Sequence, residues 1–167
     1  MYSFILSITD TMKDISGVFS LFSGVGTHIE IASSSLTTLK FEVARNCSFF
    51  TALASSLSEL KNEIDFFKGP FKDMGYGIQR TDSGQYYHWH VDGGSHDFSN
   101  RQLVAIFYLN EVKEKQGGTT DFLYQGVNIT PETGKLILFP PFWTHKHRGA
   151  KVISGQKYIA TTWVVFA

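Results

Sequence analysis

The chain has one cysteine, Cys47, in 167 residues. An internal disulfide is therefore excluded, and so is a zinc site built on several thiolates. It has no net charge, with fifteen Lys and Arg balancing fifteen Asp and Glu. That balance gives no electrostatic basis for binding nucleic acid or an anionic membrane. Long apolar runs are also missing. Residues 1–22 are moderately apolar, but Asp10, Lys13 and Asp14 interrupt them and no basic stretch comes first. Neither a signal peptide nor a membrane span is expected, and with the single thiol this favours a cytoplasmic location. No repeat or low-complexity tract stands out.

What is present points to a β-rich globular chain. Hydrophobic residues make up 43% and aromatics 15%, enough to exclude disorder and to favour pleated surfaces on which rings pack well. The length suits one domain over 1–167, with 1–70 as a strand and helix support and 71–167 as the core. Strand-like runs at 15–22 and 28–32 flank Gly24 to Gly26, and Ser33 to Ser35 reads as a turn. Residues 48–67 read as a helix. Phe49, Phe50, Leu53, Leu57, Leu60, Ile64 and Phe67 form one stripe, Ser48 is the expected N-cap, and Gly69-Pro70 ends the element. Such a helix would cover one face of a sheet. Beyond Pro70 short strands are expected at 76–81, 86–92, 102–109, 119–124, 135–139, 143–148 and 157–166. Turn signals at Gly93-Gly94, Gly117-Gly118, Pro131 to Gly134 and Ser154-Gly155 separate them. Many short strands after one long helix predict a mainly β fold with supporting α, a jelly roll under an N-terminal helical layer.

The chemistry-bearing residues cluster in two places. His90-Val91-Asp92 sits in an aromatic strand, Tyr86 to Asp92. Residues two apart on a strand face one side, so His90 and Asp92 can grip one ion, and alternation puts His88 on their face. A lone His-x-Asp is a common accident of surfaces. Its weight comes from a second histidine pair about fifty residues on, His145 and His147. Two imidazoles and one carboxylate leave three positions open on an ion, as non-haem Fe(II) oxygenases require for a chelating cosubstrate and O2. Lys157 lies ten residues past His147. If His147 binds the ion, Lys157 returns on a neighbouring strand, where its cation can pair with the far carboxylate of a bound 2-oxo acid. Lys157, Ile159, Thr161 and Trp163 share one face by alternation and would line that pocket. The plain alternative for Lys157 is a solvated lysine beside a turn.

At this point the sequence resembles the 2-oxoglutarate/Fe(II) oxygenase superfamily, in particular its prolyl 4-hydroxylase-like branch. The resemblance covers roughly residues 76–166 through an ordered set of motifs. Gly84 to Tyr87 leads into His90-x-Asp92. Arg101 to Asn110 ends in Tyr-Leu-Asn, Gly117 to Phe122 is similar to the family's Gly-Gly-x-Thr-x-Phe, and Gly134 to Pro140 precedes the distal histidine. Lys157 and Trp163 follow. The resemblance implies a double-stranded β-helix. It implies Fe(II) held by His90, Asp92 and the distal histidine, with Lys157 on the 2-oxoglutarate C5 carboxylate. It implies that Tyr108 and Tyr87 contact or line the cosubstrate pocket. The reaction implied couples O2-dependent decarboxylation of 2-oxoglutarate, giving succinate and CO2, to hydroxylation of an unactivated C–H bond. Ascorbate is a candidate accessory reductant, and the substrate would be a peptidyl proline, a free amino acid or another small molecule.

Two points depart from the pattern. Counted from Phe139-Pro140, the distal ligand is His145; counted back from Lys157 or Trp163, it is His147. We favour His147, because ligand and carboxylate-binding residue must reach one small cosubstrate; His145, on the same face by alternation, would then support the ligand. Where many relatives carry a tyrosine nine residues before the first ligand, this chain has Thr81. Other residues have ordinary readings: His88 and His96 as polar residues near the mouth, Trp89 and Trp143 as rim or packing, Arg148 as a substrate contact or a surface ion pair. The rival functions are a cupin-type metal enzyme, for which His88-x-His90 would be the start of the motif, and a non-catalytic jelly-roll module. Substrate identity and oligomeric state are not written in the sequence.

Overall fold

The structure is a computed structural model that describes residues 37–41, 48–64 and 67–167. The expected strands at 15–22 and 28–32, the turn at 33–35, Cys47 and the Ser48 cap side chain lie outside the described residues.

Ten strands and one helix make up the described regular structure, with short 3-10 turns between some of them. Strand β1 (Thr37–Phe41) precedes helix α1 (Ser48–Glu63). Then come β2 (Phe71–Asp73), β3 (Tyr76–Asp82), β4 (Tyr87–His90), β5 (Arg101–Tyr108), β6 (Thr120–Phe122), β7 (Val127–Ile129), β8 (Leu136–Phe139), β9 (His147–Gly149) and β10 (Gln156–Phe166). The large sheet runs β1-β3-β10-β5-β8, and β2 pairs with the end of β10 beyond β3. The small sheet runs β4-β9-β6-β7. Every pairing is antiparallel. This is the jelly-roll, or double-stranded β-helix, architecture expected of the sequence.

The large sheet is covered on both faces, which explains why β5 and β8 read as continuous apolar runs rather than alternating ones. Leu103, Ala105, Phe107, Leu136, Leu138, Ala160 and Val164 pack with Phe49, Ala52, Leu53 and Leu60 of α1. Their neighbours Val104, Ile106, Tyr108, Ile137 and Phe139 point the other way, toward Phe122 of the small sheet. The helix thus covers one sheet face, as its stripe predicts. It stops at Glu63 rather than 67, although Ile64 and Phe67 still pack on the core. Phe50 is not part of the buried stripe; it is exposed, because Ala52 and Ser56 occupy the sheet-facing edge instead.

Several strand expectations are corrected. β1, β2 and β7 lie outside the expected strands, since each is short and lacks a clear alternation. Of 143–148, residues Trp143–His145 form a 3-10 turn and only His147 onward is strand. The Pro140-Pro141 pair leads into that turn, a segment that cannot continue a ladder for want of N–H donors.

Candidate functional site

The site is assembled at the join between the sheets. β4 and β9 pair with His90 opposite His147, so a cross-strand partnership brings the two imidazoles together, ring centroids 4.2 Å apart. Asp92 lies just past β4, where its N–H and that of Gly93 both donate to the Pro141 carbonyl, at 3.0 and 2.8 Å. Gly93 suits this close approach, since a Cβ there would lie 3.3 Å from Pro141. Asp92 Oδ2 sits 3.2 Å from His147 Nε2 and 3.8 Å from His90 Nε2. One ligand atom from each of the three residues falls within 4.8 Å of the others.

The hydrogen bonds fix which nitrogens face inward. His90 Nδ1 is 2.8 Å from the His88 carbonyl and His147 Nδ1 is 3.0 Å from the His145 carbonyl. A carbonyl only accepts, so both Nδ1 atoms carry the proton and both Nε2 atoms offer a lone pair. Burial holds the His147 pKa well below the ordinary histidine range, with the His90 charge adding to the effect and Asp92 opposing it. The ring is therefore neutral near pH 7, as a metal ligand must be. Asp92 Oδ1 accepts from the Trp163 indole N–H at 3.0 Å, whereas the buried Oδ2 receives no hydrogen bond from the described residues. An orphaned buried carboxylate oxygen between two imidazole lone pairs fits a divalent cation.

A cavity of about 280 Å³ adjoins this cluster and is lined by Tyr87, His90, Asp92, Thr120, His147, Lys157, Thr161 and Trp163 among others. Lys157 is 5% exposed, and its Nζ donates to Thr120 Oγ1 at 3.3 Å. None of the ion pairs formed by the described residues involves it. Burial pulls its pKa down to about 8, partly offset by the charge of Asp121. Tyr108, fully buried, donates to the same Thr120 hydroxyl at 2.7 Å, and burial raises its pKa. Lys157, Ile159, Thr161 and Trp163 all line the cavity, as alternation along β10 requires. Thr81 lines it too, paired with Lys157 across β3 and β10.

Alternation misleads at β4. Tyr87 pairs with Gly149 and His90 with His147, so His88 and Trp89 together oppose the single residue Arg148. This bulge turns Tyr87 toward His90, with rings 4.5 Å apart, and leaves His88 exposed with its ring edge-on to Tyr86. His88 therefore does not share the face of His90, and the His88-x-His90 start of a cupin motif does not form. His145 is not related to His147 by strand alternation either; it ends the 3-10 turn, with its Nδ1 3.0 Å from the Thr144 hydroxyl. Burial lowers its pKa. His96 is fully exposed. Arg148 lines the cavity, donates from Nε to the buried Asp121 at 2.9 Å and lies over Trp89.

Two residues of the site carried no readable role in the sequence. Thr120, between Tyr108 and Lys157, could have been found from its place in Gly-Gly-Thr-Thr. Arg101, which donates to the Asp92 carbonyl at 2.8 Å, could not, because only the turn at His96–Phe98 brings it back to Asp92.

The sequence model of the 2OG-Fe(II) oxygenase superfamily matches residues 76–165, from the start of β3 almost to the end of β10. The chain belongs to that superfamily. A PKHD-type hydroxylase of Synechococcus sp. (strain CC9902) is 29% identical over 89 residues, which are 52% of this chain and 39% of the relative. The chain thus matches well under half the length of that curated relative. Among solved structures, the viral collagen prolyl hydroxylase of Paramecium Bursaria Chlorella virus-1, in its 2OG complex, superposes with a TM-score of 0.76. It is 22% identical, and the match covers 99% of this chain and 97% of that one. A Trichoplax adhaerens prolyl hydroxylase, solved with a hypoxia inducible factor peptide fragment, gives 0.69 at 18% identity, with 97% and 83% covered. These likenesses show the fold, that of the prolyl hydroxylases. Superfamily membership overturns the cupin alternative.

Proposed function

We propose that this chain is a 2-oxoglutarate-dependent hydroxylase whose Fe(II) is held by His90, Asp92 and His147, with 2-oxoglutarate anchored on Lys157. The observation that carries the proposal is the pairing of two unmet demands in one cavity: a buried lysine without a carboxylate, and a buried carboxylate oxygen without a donor. A dianionic cosubstrate that also chelates a cation meets the first and leaves the second to the metal.

Fe(II), once bound, supplies the activation of O2 that couples decarboxylation of 2-oxoglutarate, to succinate and CO2, with hydroxylation of a C–H bond. The chain's own residues orient and shield. The backbone carbonyls of His88 and His145 hold both imidazoles with Nε2 inward. Lys157 and Thr120 offer N–H and O–H donors to the distal carboxylate, and Tyr108 fixes Thr120. Ile106, Ile159 and Val104 keep the cavity wall apolar. Tyr87, half exposed beside His90, stands where a substrate would enter. A prolyl residue in a peptide is the substrate we favour, in keeping with the prolyl hydroxylase fold; ascorbate would act only as an accessory reductant.

The test is anaerobic addition of Fe(II) and 2-oxoglutarate, watched for the weak visible charge-transfer band of the chelate. Wild-type protein should show the band and Asp92→Ala should not. Its absence in wild type, or its persistence in Asp92→Ala, sinks the proposal. His147→Ala should lose iron binding while His145→Ala retains it; the reverse would move the ligand to His145.

A further inference from the structure

We propose that Arg101 is a positioning residue that sets the Asp92 carboxylate for its metal, acting with Trp163. The proposal rests on the metal assignment above. Arg101 opens β5 and is 8% exposed. Its guanidinium carbon lies 3.9 Å from the Phe98 ring centroid and 3.8 Å from that of Trp163, so the cation is held between two aromatic rings. Nη1 donates to the Asp92 backbone carbonyl at 2.8 Å, and none of the ion pairs formed by the described residues involves Arg101. Trp163, the ring on one side of the guanidinium, donates its indole N–H to Asp92 Oδ1. One arginine therefore touches both the backbone of the carboxylate residue and the ring that holds its side chain.

The consequence lies in which oxygen is left over. The indole engages Oδ1, and Oδ2 alone faces the two Nε2 atoms. A carboxylate free to turn can offer both oxygens to an ion and fill a position that a cosubstrate needs. Only a planar, permanently charged side chain can stack against Trp163 and still donate sideways to a carbonyl, so lysine is no substitute. Phe98 lies in the turn between Asp92 and β5, and through the guanidinium it ties that turn to the carboxylate.

Metal binding tests this without turnover. Mn(II) affinity and the Co(II) absorption spectrum are measured for wild type, Arg101→Met, Arg101→Lys, Trp163→Phe and the double variant Arg101→Met/Trp163→Phe, with thermal melting of each apoprotein. Each single variant should raise the Mn(II) Kd by about tenfold to a hundredfold. Each should also shift the Co(II) bands, and Arg101→Lys should not restore them. Because both residues act on one carboxylate, the double variant should lose less than the product of the single losses. Trp163→Phe keeps an aromatic ring but removes the indole N–H together with part of the stacking surface, and Arg101→Lys carries the test of Arg101 if Arg101→Met does not fold. Folded single variants with wild-type Kd and Co(II) bands, changed only in melting temperature, would overturn the role of Arg101; so would losses that multiply in the double variant. Wild-type protein that binds neither ion overturns the metal assignment and this proposal with it.

Discussion

The two faces of the large sheet are made by alternate residues of the same strands, yet they serve opposite ends. Toward α1, Leu103, Phe107, Leu138 and Val164 close into an apolar core in which Ser56, Thr162 and the Tyr76 hydroxyl are the buried polar groups among the described residues. Toward the small sheet, β10 turns Lys157, Thr161 and Trp163 inward, and a cavity remains where side chains could have interdigitated. The first face stabilises the fold by removing apolar surface from water. The second gives up part of that gain to keep a buried cation, a buried carboxylate and a hole between them. Stability and function are separated here by one residue of strand register, the distance between Tyr158, packed against the helix-side core, and Lys157.

That separation can be broken from either side. The largest effect expected is from Asp92→Ala, which should reduce metal binding and hydroxylation to background while the melting curve stays near wild type. Phe107→Ala should do the converse. It empties a fully buried site against α1 and should cost about 3–5 kcal/mol of stability, read by urea unfolding, with little change in 2-oxoglutarate affinity of the folded fraction. Lys157→Met sharpens the contrast, because it should act on both properties with opposite sign. Loss of the charge partner should weaken 2-oxoglutarate by about 2 kcal/mol or more, some thirtyfold, in a calorimetric titration. Removal of a buried cation without a counter-ion should raise apoprotein stability by about 1 kcal/mol.

The lysine also predicts a pH dependence. Its folded pKa, near 8, lies below the ordinary value of 10.5. Between those values the unfolded chain holds more protons, so this residue makes apoprotein stability rise with pH there. Anion binding has the opposite dependence: the protonated lysine is the binding form, so 2-oxoglutarate affinity should fall as pH rises through about 8, approaching tenfold per unit above it. Lys157→Arg, always charged, should flatten that profile. The smallest effect is expected at Phe50→Ser. This phenylalanine lies outside the packed stripe of α1, so the change should stay within about 0.5 kcal/mol.

Periodicity was enough for the parts of the fold where it is undisturbed. The stripe of α1 apart from Phe50, the apolar runs of β5 and β8 and the alternation of β10 follow the sequence pattern, since each is a local pattern answering to one burial environment. It failed where geometry departs from a regular ladder. The bulge in β4 exchanges Tyr87 for His88 on the cavity side, and the Pro-Pro segment replaces the start of an expected strand with a 3-10 turn that offers its His145 carbonyl to His147. Neither changes the residue types in the motif; each changes which way they point.

By itself, then, the sequence determined the chemistry available: two histidines, one carboxylate and one lysine, spaced so that neighbouring strands could gather them, in motifs characteristic of one oxygenase superfamily. It did so because alternation and motif spacing are properties of the chain alone. Tertiary structure decided the rest. Pairing of β4 with β9 put His90 against His147, the Pro141 carbonyl set Asp92, and the turn after Asp92 returned Arg101 to Trp163. Those contacts join residues forty-nine to sixty-two apart in the chain, and no local pattern records them because their energy exists only once the sheets have closed.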